Sequence, residues 1–332
     1  MKINNEGQLR INGGESLLPT LADIQKARVT IAGTAICTPI VRFNVPEAPA
    51  EIYLKLENLQ PIGSFKLRGA ANAMLGRPAA ELKNGVLTAS AGNMAQGVAW
   101  CARKLGIPCT VIAPETAPET KIAAIERLGG RVIKVPFGDW WRPFEERAFP
   151  GERGVFIHAF DDPMVMAGNG AIGLEILEDL PDVDAVVVPW GGGGLTCGIA
   201  TAIRALRPEC KVFAAEVATA APLSTSWLAG SPQSVDYEPS FVDGIGARTV
   251  FAQMFRYAQE LIDDVLVAGL DEVARALRLI AERNRVIAEG AGATPVAAAL
   301  AGKAGAGKVV CIVSGGNIDS GPLAKILAGE AI

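Results

Sequence analysis

Histidine is almost absent from this chain of 332 residues; His158 is the only one. A single imidazole argues against a Ser-His-Asp relay and against a multi-histidine metal centre, each of which needs its histidines placed for one task. Paired cysteines are lacking too. The six cysteines, Cys37, Cys101, Cys109, Cys197, Cys210 and Cys311, include no C-x-x-C pair, a pattern of buried reduced thiols rather than of disulfides or a zinc site. There is no block of like charge: 31 Lys and Arg face 35 Asp and Glu, for a net charge of -4. Neither nucleic acid nor an anionic membrane therefore has a footprint. No apolar run approaches the length of a membrane span, and the opening MKINNEGQLRINGGES has no signal-peptide core. A cytoplasmic protein with a small-molecule partner is expected, and its hard chemistry must come from something other than its own acid-base side chains.

What the chain does have is apolar material in quantity. Half of the residues are hydrophobic, enough for two well-filled cores at this length. Short β-rich runs alternate with longer Ala/Leu-rich stretches: EIYLKLE then SFKLRGAANAMLG, GVLTASA then MAQGVAWCARKLG, CTVIAP then ETKIAAIERLGG. RVIKVP, VFIHAF, DAVVVPWGGGG, KVFAAE and KVVCIVSGGN come after them. That rhythm predicts βα units on parallel sheets, an α/β fold. Ala117 to Leu128, with Pro118 and an acidic first turn at one end and Gly129-Gly130 at the other, predicts a surface helix. No repeat or flexible linker marks a boundary, so the domains must meet at a crossover within compact structure.

Four segments carry chemistry. In Gly63-Ser64-Phe65-Lys66-Leu67-Arg68-Gly69-Ala70 a lysine sits among small and apolar residues at a loop-to-helix transition. Desolvation there eases loss of its proton, as a Schiff-base nucleophile requires; a surface lysine opening a helix is the plainer alternative. Trp190-Gly191-Gly192-Gly193-Gly194-Leu195 comes after the run DAVVVP and precedes an apolar helix. Glycines let backbone N–H groups turn toward an anion and the helix N-terminus adds its dipole, so this loop suits a phosphate. A dinucleotide fold is the competing reading, since Gly192, Gly194 and Gly198 fit a loosened glycine pattern and Glu216 ends the next strand. Against it, Thr196 or Cys197 takes the place of the third glycine, and Lys66 is left unexplained. The last two segments, Ser90-Ala91-Gly92-Asn93-Met94-Ala95-Gln96-Gly97 and Ser314-Gly315-Gly316-Asn317, are strand-end loops where open α/β sheets bind ligands. Singly, each is more often just a turn.

Together the four segments closely resemble the fold type II pyridoxal-phosphate enzymes (tryptophan synthase β-like), in particular their threonine/serine dehydratase and serine racemase branch. The resemblance runs from Asp23-Ile24-Gln25-Lys26-Ala27 and Thr38-Pro39-Ile40, through residues 158 to 177 and 289 to 300, to the final Ser-Gly-Gly-Asn. It implies two domains, each with a mostly parallel twisted sheet flanked by helices. Residues 84–160 would form a small domain inserted in a large one of residues 1–83 and 161–332, with the cofactor in the cleft between them. It implies pyridoxal 5'-phosphate as a Schiff base on Lys66, which then removes the α-proton. Phe65 would pack by the cofactor ring and Asn93 bond its 3-hydroxyl. Gly191, Gly192, Gly193, Gly194 and Leu195 would hold the phosphate; Ser314 would face the ring nitrogen, and Glu289 and Gly315 complete the cofactor set. Ser90, Ala91, Gly92, Asn93 and Met94 would meet the substrate, with Ser90 also in the catalytic set. A serine hydroxyl shares a hydrogen bond but cannot keep the ring nitrogen protonated as a carboxylate would, which favours loss of a β-hydroxyl over transamination. The implied reaction is dehydration and deamination of a threonine- or serine-type amino acid to a 2-oxo acid and ammonia.

Other readings stand beside it. Family racemases place a hydroxyl at the Ala91 position, so racemisation is the weaker alternative; another fold type II lyase or synthase, such as a sulfhydrylase, and a degenerate pyridoxal-phosphate-binding regulatory protein are the others. Met94 stands where a histidine is usual, and Asp139-Trp140-Trp141-Arg142 puts two indoles where relatives are polar. Core or interface packing explains large aromatics readily; accommodation of a bulky β-substituent, as in phenylserine, is the functional reading. Glu216 matches one acid of the family's ion site, but Ala221 and Pro222 fall where the second belongs, so no metal is expected. By resemblance a homodimer is expected. The end at Ile332 leads us to expect no regulatory domain of the allosteric kind, and hence a catabolic or specialised role.

Overall fold

The computed structural model describes residues 18–330. Ten strands among these residues form two sheets. In chain order they are β1 (Ile40–Arg42), β2 (Glu51–Leu56), β3 (Val86–Ala89), β4 (Cys109–Pro114), β5 (Arg131–Val135), β6 (Val155–Phe156), β7 (Ala185–Pro189), β8 (Lys211–Val217), β9 (Asp264–Ala268) and β10 (Lys308–Val313). The six-stranded sheet has the order β1-β2-β10-β7-β8-β9, and the four-stranded sheet β5-β4-β3-β6. Every pairing is parallel except β1 with β2. The sequence reason is plain in β7 and β10. Ala185–Pro189 is buried at every position, and Val309 to Val313 likewise; such continuous apolar runs belong to parallel strands covered on both faces.

Two strands escape the sequence pattern. β1 is a three-residue antiparallel edge strand with no buried residue, and β9 is an edge strand that alternates in burial and opens on an aspartate. β1 is too short to show a pattern, and β9 has an apolar run of which only Leu266 and Ala268 are buried; both are fixed by the neighbour they pair with. VFIHAF is a strand only at Val155–Phe156; His158 folds residues 158–161 into a turn by accepting from Asp161 N–H. The helix expected over 117–128 spans Glu119–Arg127, buries Ile122 and Ile125 and leaves its other residues half-buried or exposed, with Gly129 in the left-handed region at φ +88°. Five of the cysteines are buried as expected, but Cys37 is exposed. Partial burial and the neighbouring Glu175 carboxylate push its thiol pKa up.

The chain divides into two compact units: the described residues up to Ile36 with Lys66–Asn169, and Cys37–Phe65 with the described residues from Gly170. The whole four-stranded sheet falls within 84–160, but the helices Leu21–Ile31 and Lys66–Leu75 join its unit. Three close approaches tie Lys66–Leu75 in. A Cβ on Gly69 would lie 2.8 Å from Val165, one on Gly168 would lie 2.4 Å from the Arg68 carbonyl, and Asn72 donates to the Met164 carbonyl at 2.7 Å.

Candidate active site

In the unit of the six-stranded sheet, the strand-end loops meet at the carboxyl edge of parallel strands, where open α/β sheets bind ligands. The loop after β7 leads into the helix Gly194–Leu206, with Gly193 as its N-cap at φ +88°. A Cβ on Gly193 would lie 2.5 Å from the Trp190 ring, so the indole, 1% exposed, is the floor on which the loop turns. A Cβ on Gly191 would lie 3.5 Å from Ile245 Cα and 3.7 Å from the Gly244 carbonyl oxygen. The loop after β10 is zipped to the segment that ends at Phe65. Ser64 pairs with Gly315, Phe65 N–H donates to the Ser314 carbonyl at 2.9 Å, and Gly316 N–H donates to the Gly63 carbonyl at 2.9 Å. Ser314 is 2% exposed. Glu289, also buried, caps the helix Gly290–Leu300; its N–H donates to the Gly315 carbonyl, and its Oε1 lies 2.6 Å from where a Cβ on Gly315 would be.

In the other unit, Lys66 opens the helix Lys66–Leu75, half-buried, and its Nζ donates to the Ala159 carbonyl at 2.9 Å. It is thus a held amine rather than a surface lysine. After β3, Ser90 Oγ accepts from Gly92 N–H at 3.1 Å, and Asn93 begins the helix Asn93–Leu105. Ala91, Gly92 and Asn93 are half-buried beside it, while Met94 is 2% exposed on the core side of that helix. Backbone N–H groups gathered at the start of a helix suit a carboxylate.

The chain has relatives among known proteins. The family described as pyridoxal-phosphate dependent enzyme matches residues 31–315. The chain belongs to this family. It is 41% identical to the L-threonine ammonia-lyase of Thermotoga maritima, over 93% of this chain and 78% of that protein. It is 38% identical to the catabolic L-threonine dehydratase of Escherichia coli, over 92% of this chain and 94% of that one. The structure of serine racemase from Dictyostelium discoideum superposes with a TM-score of 0.81 at 34% identity, over 91% and 99% of the two chains. The expected fold type II architecture therefore holds, and the family's cofactor is pyridoxal phosphate.

The residues present fit that cofactor. A glycine loop at a helix N-terminus, floored by an indole that no larger residue at 193 would tolerate, leaves backbone donors for a phosphate. The segment Ser240 to Gly246 is a wall of the site that sequence reasoning missed. Its Gly244, where a Cβ would lie 3.2 Å from Glu289 Oε1, was the available signal: a lone D-G turn between Pro239 and Thr249.

Three residues singled out in the sequence have roles of their own. Glu216 is 1% exposed, and its two carboxylate oxygens accept from Leu223 N–H at 2.9 Å and Ser224 N–H at 2.7 Å, capping the helix Pro222–Ala229. Burial outweighs those bonds and pushes its pKa up to about 7. Trp140 and Trp141 pack on Phe144, with ring centroids 5.5 and 5.1 Å away, and Trp140 Nε1 donates to the Ile112 carbonyl at 3.1 Å.

Proposed function

We propose that this chain is a pyridoxal-phosphate-dependent ammonia-lyase that converts a threonine- or serine-type hydroxy amino acid to a 2-oxo acid and ammonia. One observation carries the assignment of roles. Phe65 N–H is bonded to the Ser314 carbonyl, and Lys66 is the residue that follows Phe65 in the chain. When bound, the cofactor supplies an electron-withdrawing ring that acidifies the substrate's α-carbon.

In this reading Lys66 holds the cofactor and, once displaced by the substrate amine, takes the α-proton at Nζ. Gly191 to Leu195 would hold the phosphate through their N–H groups, and Phe65, Asn93, Glu289, Ser314 and Gly315 would hold the ring, Ser314 at its nitrogen. Ser90, Gly92 and Asn93 bind the substrate carboxylate, with Ala91 and Met94 beside it. Ala91 offers no hydroxyl for a second proton transfer, which favours elimination over racemisation despite the likeness to a serine racemase. Homodimeric assembly, a cytoplasmic setting and a smaller domain of residues 84–160 belong to the same reading.

The test is 2-oxo acid release from L- and D-serine, L- and D-threonine and phenylserine, with Lys66→Ala as control. Release from L-threonine or L-serine that vanishes in Lys66→Ala is the expected result. Inverted amino acid without 2-oxo acid would overturn it in favour of a racemase. Bound cofactor with no product at all would point to a synthase or a binding protein. Faster turnover of phenylserine than of threonine, lost in Trp140→Ala or Trp141→Ala, would extend the substrate range to bulky β-substituents.

A further inference from the structure

We infer that His158 is a positioning residue for Lys66: its imidazole orients the peptide unit whose carbonyl holds the lysine amine. The inference rests on the proposed role of Lys66 only for its importance, since the geometry stands without it. Phe160 N–H donates to His158 Nδ1 at 3.3 Å, and Asp161 N–H donates to the same nitrogen at 2.8 Å. The carbonyl that receives Lys66 Nζ belongs to Ala159. Ala159 C=O and Phe160 N–H are opposite ends of one planar trans peptide, so they point in opposite directions. When Nδ1 draws the N–H one way, the carbonyl is turned the other way, onto the amine.

The surroundings keep this clamp in one state. His158 is fully buried, and Phe144, Phe156 and Phe160 pack around its ring with centroids 5.3, 6.0 and 4.6 Å away. Arg147 donates to both the carbonyl and the carboxylate of Asp161, pinning the far side of the turn. Burial above all, then the positive charges of Arg147 and Lys66, push the imidazole pKa down to about 3. The imidazole is therefore neutral well above pH 3, where Nδ1 stays an acceptor and the turn holds its shape. A lysine ends a flexible four-carbon stem; a fixed acceptor defines where the amine waits after it is displaced. The chain's lone histidine thus acts on the chemistry without touching a reacting atom.

The test compares His158→Asn, whose amide oxygen can take the place of Nδ1, with His158→Gln, whose amide reaches the far side of the ring position and leaves the place of Nδ1 empty. Phe144→Leu loosens the same aromatic packing while leaving Nδ1 in place. In the full chain freed of cofactor, the rate at which a small acylating reagent labels Lys66 is read by mass spectrometry against the exposed Lys26. In the loaded enzyme, kcat and KM are measured. His158→Gln is expected to raise the relative labelling rate about threefold or more, as loss of one hydrogen bond would. It is also expected to lower kcat about tenfold with little change in KM, because the amine is misplaced rather than the substrate unbound. His158→Asn should restore both, and Phe144→Leu should change neither in proportion to its loss of thermal stability. Equal labelling in His158→Gln and the wild type, or an effect matched by Phe144→Leu, would overturn the inference. A wild type that turns over no hydroxy amino acid would sink the proposed function and leave the labelling comparison to decide on His158.

Discussion

Gly193 shows how narrowly single positions are constrained. It is in the left-handed region, and a Cβ there would lie 2.5 Å from the Trp190 ring and 3.0 Å from Met254. Backbone strain of about 1–3 kcal/mol is thereby compounded by a clash with a buried indole that has no room to move. Gly193→Ala is expected to weaken cofactor binding at least tenfold, measured by absorbance titration of the freed protein, while Gly321→Ala, with open space around it, should leave binding unchanged. Gly191–Leu195, Lys66, Ser90 and Ser314 could be singled out in the sequence because each lies in a short run whose residue types suit an amine, an anion cradle or a donor. His158 was legible as the chain's single histidine and as the start of the segment 158–177, but not as a partner of the lysine's carbonyl. Its partners at 160 and 161 are local, but the lysine that gives them meaning is 93 positions from Ala159. Gly244 was overlooked for the same reason: nothing near it in the chain reveals that a carboxylate from residue 289 occupies the space where its Cβ would be.

Among the elements, the helix Pro222–Ala229 has an unusual start. Pro222 is its first residue, and the next two N–H groups are taken by Glu216 from the end of β8. A carboxylate at a helix N-terminus is normally stabilising, but here burial dominates and the pKa is raised from 4.5 to about 7. The folded state therefore binds this proton more tightly than the unfolded chain does, and ionisation in the folded state becomes a growing cost as pH rises from about 4.5 to 7. Stability measured by urea denaturation should shift in favour of Glu216→Gln, relative to wild type, between pH 5 and pH 8. The full difference is on the order of 3 kcal/mol; a constant offset across that range would show that Glu216 ionises as freely folded as unfolded. The strands divide on similar physical lines. Central parallel strands announce themselves by unbroken apolar runs, whereas β1 and β9 lie at the sheet edges and owe their conformation to β2 and β8.

For the molecule as a whole, the chain crosses from one compact unit to the other after Ile36, after Phe65 and after Asn169. The second crossing falls at the peptide bond that joins Phe65 to Lys66, a boundary that composition could not disclose because no linker marks it. Global stability should also carry the signature of the buried imidazole. With a folded pKa of about 3 against an ordinary 6.5, His158 binds its proton less tightly folded than unfolded. Its contribution is complete above about pH 6.5 and is lost as pH falls toward 3, on the order of 5 kcal/mol over the full span. Acid denaturation should be steeper in the wild type than in His158→Asn over that interval, and identical curves would mean that another group governs it.

The position of β10 bears on how the protein is made. It lies between β2 and β7 in the sheet yet is the last of the described strands to be translated. From Leu56 to Lys308 the ribosome adds roughly 250 residues, which takes about 12–50 s at ordinary elongation rates. Throughout that interval β2 has an unfilled edge, and the Lys66 amine has emerged without Ser314 to accompany it. In the proposed reading, capture of the cofactor would accordingly be a terminal event in biosynthesis, since a nascent chain halted before β10 would carry Lys66 but not Ser314.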